Sequence, residues 1–109
     1  MKRTSLLSAI AFMAITLGAV TAQAGDYVIT LKDDSFSPAT LSLPANQKIE
    51  LTVKNMNTSP AEFESSDLNR EKVVGANSEI TVFVGPLDAG TYTYFNDFHR
   101  ETTGTIVVK

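Results

Sequence analysis

No cysteine and no tryptophan occur in this 109-residue chain, and histidine appears once, at His99. The missing cysteine excludes disulfides, thiol nucleophiles, zinc–sulfur sites and any thiolate-ligated metal centre. A domain without cross-links must be held by its hydrophobic core alone. Neither a Gly-x-Ser-x-Gly sequence nor a glycine-rich phosphate loop is present, and no Ser/His/Asp order suggests hydrolysis. A hydrolase would have to be built around His99 alone. Basic side chains are also scarce. Nine lysines and arginines face twelve acids, for a net charge of −3, so nucleic acid and anionic lipid are poor partners.

The one long apolar run is at the start. Lys2 and Arg3 precede an almost unbroken hydrophobic stretch from Leu6 to Val20, and Thr21-Ala22-Gln23-Ala24 closes it with an Ala-x-Ala pattern. That arrangement predicts a cleaved signal peptide at 1–24 and a mature chain beginning at Gly25. The run is short for a transmembrane helix, and no second one follows. The expectation is therefore an exported, soluble, periplasmic protein whose single domain spans 25–109. Loss of Lys2 and Arg3 leaves 85 residues with seven basic and twelve acidic side chains, a net charge of −5.

The remaining sequence reads as short strands separated by turn signals. Tyr27 to Lys32, Ala39 to Leu43, Lys48 to Lys54, Glu79 to Val84 and Thr91 to Phe95 alternate apolar and polar residues. The cleanest is Lys48 to Lys54, with Ile49, Leu51 and Val53 on one face and charged or hydroxyl side chains on the other. Phe36-Ser37-Pro38 reads as a turn, Ala61 to Ser65 as a short strand, and Thr105 to Val108 as the closing strand. Asp67 to Glu71 is expected to form one helical turn, capped by Asp67. Seven or eight short strands at this spacing, with no long helical period, predict an all-β antiparallel sandwich or barrel.

Two stretches carry candidate chemistry. In Gly90 to Glu101 (GTYTYFNDFHRE) an alternating strand turns polar and delivers Asp97 and His99. Residues two apart on a strand share a face, so this pair can aim a carboxylate and an imidazole at one point. Such donors form an ordinary ligand set for a transition metal, although an isolated Asp-x-His is more often a solvated hairpin end. In Ala61 to Asp67 (AEFESSD), Glu62 and Glu64 fall on one face while Phe63 turns inward. Two carboxylates on one face repel unless a cation lies between them or water separates them. Asp67, Glu71 and Glu101 are further candidates, each more often an ordinary surface acid. Asn55 reads as a loop tie through side-chain to backbone hydrogen bonds.

Taken together, Phe36-Ser37-Pro38, Val53-Lys54-Asn55, Glu62-Phe63-Glu64 and Gly90 to His99 resemble the cupredoxin superfamily over nearly the whole mature chain. The resemblance implies a Greek-key β-sandwich. In copper-binding members a histidine follows a strand like 48–54, and a cysteine, a second histidine and usually a methionine come from the last loop. Here Ala61 stands at the first histidine position, Asn96 at that of the cysteine, and no methionine follows His99. Only His99 is retained, which rules out a blue-copper centre. The longer words TSPAEFES (58–65), LNREKVV (68–74) and FNDFH (95–99) look like the small periplasmic cupredoxin-like component of bacterial ferrous-iron transporters. Such proteins are related to the cupredoxin domain of the periplasmic iron-uptake lipoproteins.

By that resemblance the chain binds an iron or copper ion, mononuclear with oxygen and nitrogen ligands, through Glu62, Glu64, Asp97 and His99. Its implied partners are an iron permease and a periplasmic iron-binding protein, and its implied role is ferroxidase-like assistance or hand-over of iron. Carboxylates in place of sulfur ligands make a hard site, favouring Fe(II)/Fe(III) or Cu(II) over Cu(I). Two other readings use the same residues differently: a periplasmic Cu(II) carrier or resistance protein, and a metal-free interaction module on the same scaffold.

Overall fold

The computed structural model describes residues 27–109, all of them in strands or the connections between strands. The expected signal peptide, its cleavage point and the start of the mature chain lie outside the described residues. Nine strands follow in order: β1 (Tyr27–Lys32), β2 (Ser35–Ser37), β3 (Thr40–Leu43), β4 (Ile49–Asn55), β5 (Ala61–Ser65), β6 (Arg70–Val74), β7 (Ser78–Val84), β8 (Gly90–Asn96) and β9 (His99–Val108). They form a four-stranded sheet, β2-β1-β4-β7, and a five-stranded sheet, β3-β9-β8-β5-β6. The Greek-key β-sandwich is therefore the observed architecture.

Period-two alternation builds the core. β4 runs buried–exposed–buried–half-buried and continues so, with Ile49, Leu51, Val53 and Asn55 inward. From the opposite sheet Phe63, Tyr94, Ile106 and Val108 meet them. At the centre the ring of Tyr94 lies edge-on to Phe36, 4.9 Å between centroids, and tilted on Phe63 at 5.1 Å. β8 and β9 run antiparallel and set Tyr94 directly opposite Gly104. A side chain at 104 would run into the Tyr94 ring and hydroxyl, so glycine here makes room for the largest core residue.

Several local expectations are corrected. β1–β4 and β3–β9 are parallel pairs, so the sheets are mixed rather than wholly antiparallel. Phe36 lies within β2, where it pairs with Leu31, not in a turn. Residues 66–69 form a turn closed by the Asn69 N–H donating to the Ser66 carbonyl at 3.1 Å, and Arg70 then enters β6. The Asp67 carboxylate caps no helix there. It accepts from the Thr93 N–H at 2.9 Å and the Thr93 hydroxyl at 3.1 Å, tying that turn to β8.

Asn55, 1% exposed, ties the loop as the sequence suggests. Its amide nitrogen donates to the carbonyls of Ser59, Val74 and Gly75, and its oxygen accepts from the Asn57 N–H at 3.0 Å. Asn57 in turn is clasped to Asp33, donating from its amide to the Asp33 carbonyl at 3.0 Å and accepting the Asp33 N–H at 2.7 Å. These bonds fix the β4–β5 loop against the β1–β2 turn, at the pole where the β8–β9 hairpin also ends.

Candidate metal centre

β5 and the β8–β9 hairpin meet beside this pole. Along β5, Ala61, Phe63 and Ser65 are buried, so Glu62 and Glu64 stand half-buried on the outer face of the five-stranded sheet. β8 ends at Asn96, and Asp97-Phe98 turns the chain so that His99 pairs back onto Asn96. The Asp97 N–H donates to the Glu62 carbonyl at 2.9 Å, which carries the strand pairing into the turn and sets Asp97 beside Glu62. The Asn96 side-chain oxygen accepts the N–H of Glu62 at 3.0 Å and of Phe98 at 3.1 Å, fixing the turn to β5.

Carboxylate oxygens of Glu62, Glu64 and Asp97 lie within 4.8 Å of one another. His99 is not in this group. It pairs with buried Asn96, whereas Glu64 pairs with Phe95, so His99 faces the side of the sheet opposite the glutamates. The reading of Asp97 and His99 as alternate residues of one strand does not describe the structure, because the strand stops at Asn96. Glu71, a further candidate that the sequence favours as a surface acid, is opposite Glu64 in the neighbouring edge strand β6 and close enough to Glu62 to raise its pKa. Its proximity follows from cross-strand register, for which no local sequence signal exists.

Arg100 steadies one member of the group. Its Nε and Nη2 both reach Asp97 Oδ1 at 2.8 Å, and its guanidinium lies 5.0 Å from the centre of the Phe95 ring. The ion pair is largely exposed and contributes little stability. Its consequence is orientational, since it holds one Asp97 oxygen and leaves the other to the glutamates.

Hydrogen bonding, burial and like charge together raise the pKa values of two of these acids. The Glu62 carboxyl is pushed up to about 7, chiefly by its hydrogen bond to Glu71, then by burial, its hydrogen bond to Asp97 and the charges of both neighbours. Glu64 is also raised, first by burial, then by Asp97 and Glu71, with Arg100 opposing. A carboxyl that holds its proton longer when folded stabilises the fold below its unfolded pKa. That stability is lost as pH rises through the folded value. The metal-free protein is thus expected to lose stability between pH 4.5 and about 7, and Glu62→Gln to flatten that part of the profile. Urea midpoints across the range measure it; a wild-type profile unaltered by the substitution would contradict the crowding.

The first-histidine, cysteine and second-histidine positions of the resemblance, Ala61, Asn96 and His99, line one cavity at the pole. A model of the cupredoxin-like domain matches residues 5–108. The chain belongs to the cupredoxin-like domain family. It is 42% identical over 81 residues to an uncharacterized protein of Rickettsia prowazekii, a match covering 73% of this chain and 65% of that protein, so it spans somewhat less than two thirds of its relative. Among solved structures, the Cu(I)-containing metal-binding domain of the Streptococcus pneumoniae Cu(I)-exporting P-type ATPase CopA superposes with a TM-score of 0.68 at 17% identity, covering 75% of this chain and 82% of that one. An oxidized mutant of amicyanin gives 0.63 at 17% identity, covering 76% and 81%. At these identities the two structures speak for the fold.

The residues of this cupredoxin-like pole do not fit a thiolate copper centre. Ala61 presents a methyl group. The Asn96 oxygen is already engaged by two backbone N–H groups, which leaves its NH₂, a donor and no metal ligand, for the cavity. His99 alone offers a ligand atom of the expected type. The carboxylates on the outer face are a different donor set, all oxygen and anionic, which fits hard cations.

Proposed function

We propose that this cupredoxin-like protein is a periplasmic metal-binding accessory of ferrous-iron uptake, holding the ion on Glu62, Glu64 and Asp97. The convergence of three carboxylates within 4.8 Å carries the reading. Anionic oxygen donors bind Fe(III) more strongly than Fe(II), which lowers the reduction potential and eases oxidation. With dioxygen as electron acceptor, bound Fe(II) becomes Fe(III) for hand-over to a permease. The sequence words at 58–65, 68–74 and 95–99 support iron as cargo, with an iron permease and a periplasmic iron-binding protein as partners, and the basic–apolar–Ala-x-Ala pattern of residues 2–24 supports export with removal of residues 1–24. Arg100 positions Asp97, and Glu71 serves as proton partner or additional oxygen donor. His99, on the other face, contributes less to affinity than any of the three carboxylates.

Anaerobic loading with Fe(II), with and without one equivalent of Cu(II), followed by admission of air, tests this. Formation of Fe(III) faster than in a protein-free control, and lost in the Glu62→Gln/Glu64→Gln protein, is the expected result. Binding without acceleration would reduce the role to carriage. Binding of Cu(II) with no binding of iron would make the protein a copper carrier instead.

A further inference from the structure

The two sheets leave four edge strands among the described residues, β2, β3, β6 and β7. An open edge presents unpaired N–H and C=O groups to any strand that can reach them, and proteins blunt such edges by shortness, charge, proline or irregular pairing. β2 has three residues, β3 has four and runs into Pro44, and β6 carries Arg70, Glu71 and Lys72. β7 has none of these protections. It is seven residues long (SEITVFV), pairs with β4 without a register shift, and carries Glu79 as its one charge.

One contact shows which way its free groups point. Arg70 Nε donates to the Phe83 carbonyl at 2.8 Å from the neighbouring edge, so that carbonyl is turned away from β4. Alternation in an antiparallel pair then turns the backbone groups of Glu79, Thr81 and Phe83 outward and leaves those of Ile80, Val82 and Val84 to β4. The same three residues put their side chains on the outer face of the sheet, where Phe83 is 49% exposed. Lys48 Nζ lies 5.2 Å from the centre of the Phe83 ring. Neither Lys48 nor Glu79 has an ion-pair partner among the described residues.

This edge is complementary to itself. In a two-fold antiparallel pairing centred on Thr81, each Thr81 meets its own counterpart and each Glu79 meets the Phe83 of the other copy. The residues with outward backbone groups are then the ones that face each other. This register also sets each Glu79 carboxylate beside the Lys48 ammonium of the other copy. Centring on Glu79 would oppose like charges, and centring on Phe83 would leave Glu79 unmatched. A carbonyl accepts two hydrogen bonds, so Arg70 can stay on Phe83 while the second strand binds. We propose that β7 is a homodimerisation edge, through which a second copy of this chain joins the two four-stranded sheets into one continuous sheet. The contact lies in the sheet opposite the one that carries Glu62 and Glu64, and it does not depend on metal binding.

Sedimentation velocity of the metal-free protein over a concentration series, with amide hydrogen exchange at both ends of that series, tests the assignment. The expected result is a monomer–dimer equilibrium in which the N–H groups of Glu79, Thr81 and Phe83 become protected in the dimer while those of β6 are unchanged. Thr81→Pro removes an outward donor without breaking the ladder to β4, and should weaken dimerisation by at least about tenfold. Should that variant fail to fold, Glu79→Lys, at an exposed position, should weaken it to a similar degree by opposing Lys48, and adding Lys48→Glu should restore it. A protein that stays monomeric at every concentration would overturn the proposal. So would protection appearing on another edge, open-ended polymers in place of a dimer, or dimerisation unchanged in Thr81→Pro and Glu79→Lys.

Discussion

Replacing Gly104 with alanine is expected to destabilise the protein by about 3 kcal/mol, a large part of the 5–15 kcal/mol that holds a typical domain together. The added methyl would occupy space already filled by the ring and hydroxyl of Tyr94. That ring cannot retreat, being fully buried and packed on Phe36 and Phe63. β9 cannot retreat either, because it is paired with β8 on one side and β3 on the other. Chemical denaturation measures the loss, and the double variant Gly104→Ala/Tyr94→Leu should recover part of it, since the two sites share one volume. The Tyr94 hydroxyl is sealed from solvent without a partner among the described residues. Tyr94→Phe alone should therefore be neutral or stabilising. A tolerated Gly104→Ala would mean that the core at this level is looser than the packing implies.

Each of Glu62→Gln, Glu64→Gln and Asp97→Asn is expected to lower affinity for the bound metal tenfold or more, about 1.4 kcal/mol apiece. Their effect on the metal-free protein should have the opposite sign. Neutralising one carboxyl relieves the crowding that raises Glu62 to about 7, so the apo variants should be as stable as the parent at neutral pH or more so. Weaker metal binding together with an unweakened fold is the signature of a functional cluster rather than a structural one. His99→Ala should change affinity much less, since the imidazole lies on the other face of the sheet. Affinity should also fall as pH drops below about 7 and Glu62 takes up its proton. Unchanged affinity in all three carboxylate variants would remove the site.

What the sequence made legible follows from period two. Ile49, Leu51 and Val53 in β4, and Glu62 and Glu64 about Phe63 in β5, declare their faces by alternation alone, and the structure places them so. β6 escapes the same reading because Arg70, Glu71, Lys72 and Val73 lie on an edge strand with only Val74 buried, and no apolar rhythm marks it. The start of β9 escapes because His99 to Glu101 are exposed and a register shift interrupts the pairing between Phe95 and Asn96. The same shift explains the separation of Asp97 from His99. Alternation assumes an unbroken strand, and a two-residue turn intervenes. Glu71 joins the acids through its cross-strand pairing with Glu64, a relation between residues seven apart that depends on turn length and register. Local chemistry was readable, and the encounters between strands were not.

Thermal unfolding with and without metal, under anaerobic conditions, tests the metal centre most directly. At a free Fe(II) concentration one hundred times the dissociation constant, a ligand that binds only the folded state adds about 2.7 kcal/mol. The wild-type protein should show that upward shift, and the Glu62→Gln/Glu64→Gln double variant should not. A wild-type melting temperature unmoved by Fe(II), Fe(III) and Cu(II) alike would contradict a metal site on these carboxylates and leave a cupredoxin-like scaffold that works through other contacts.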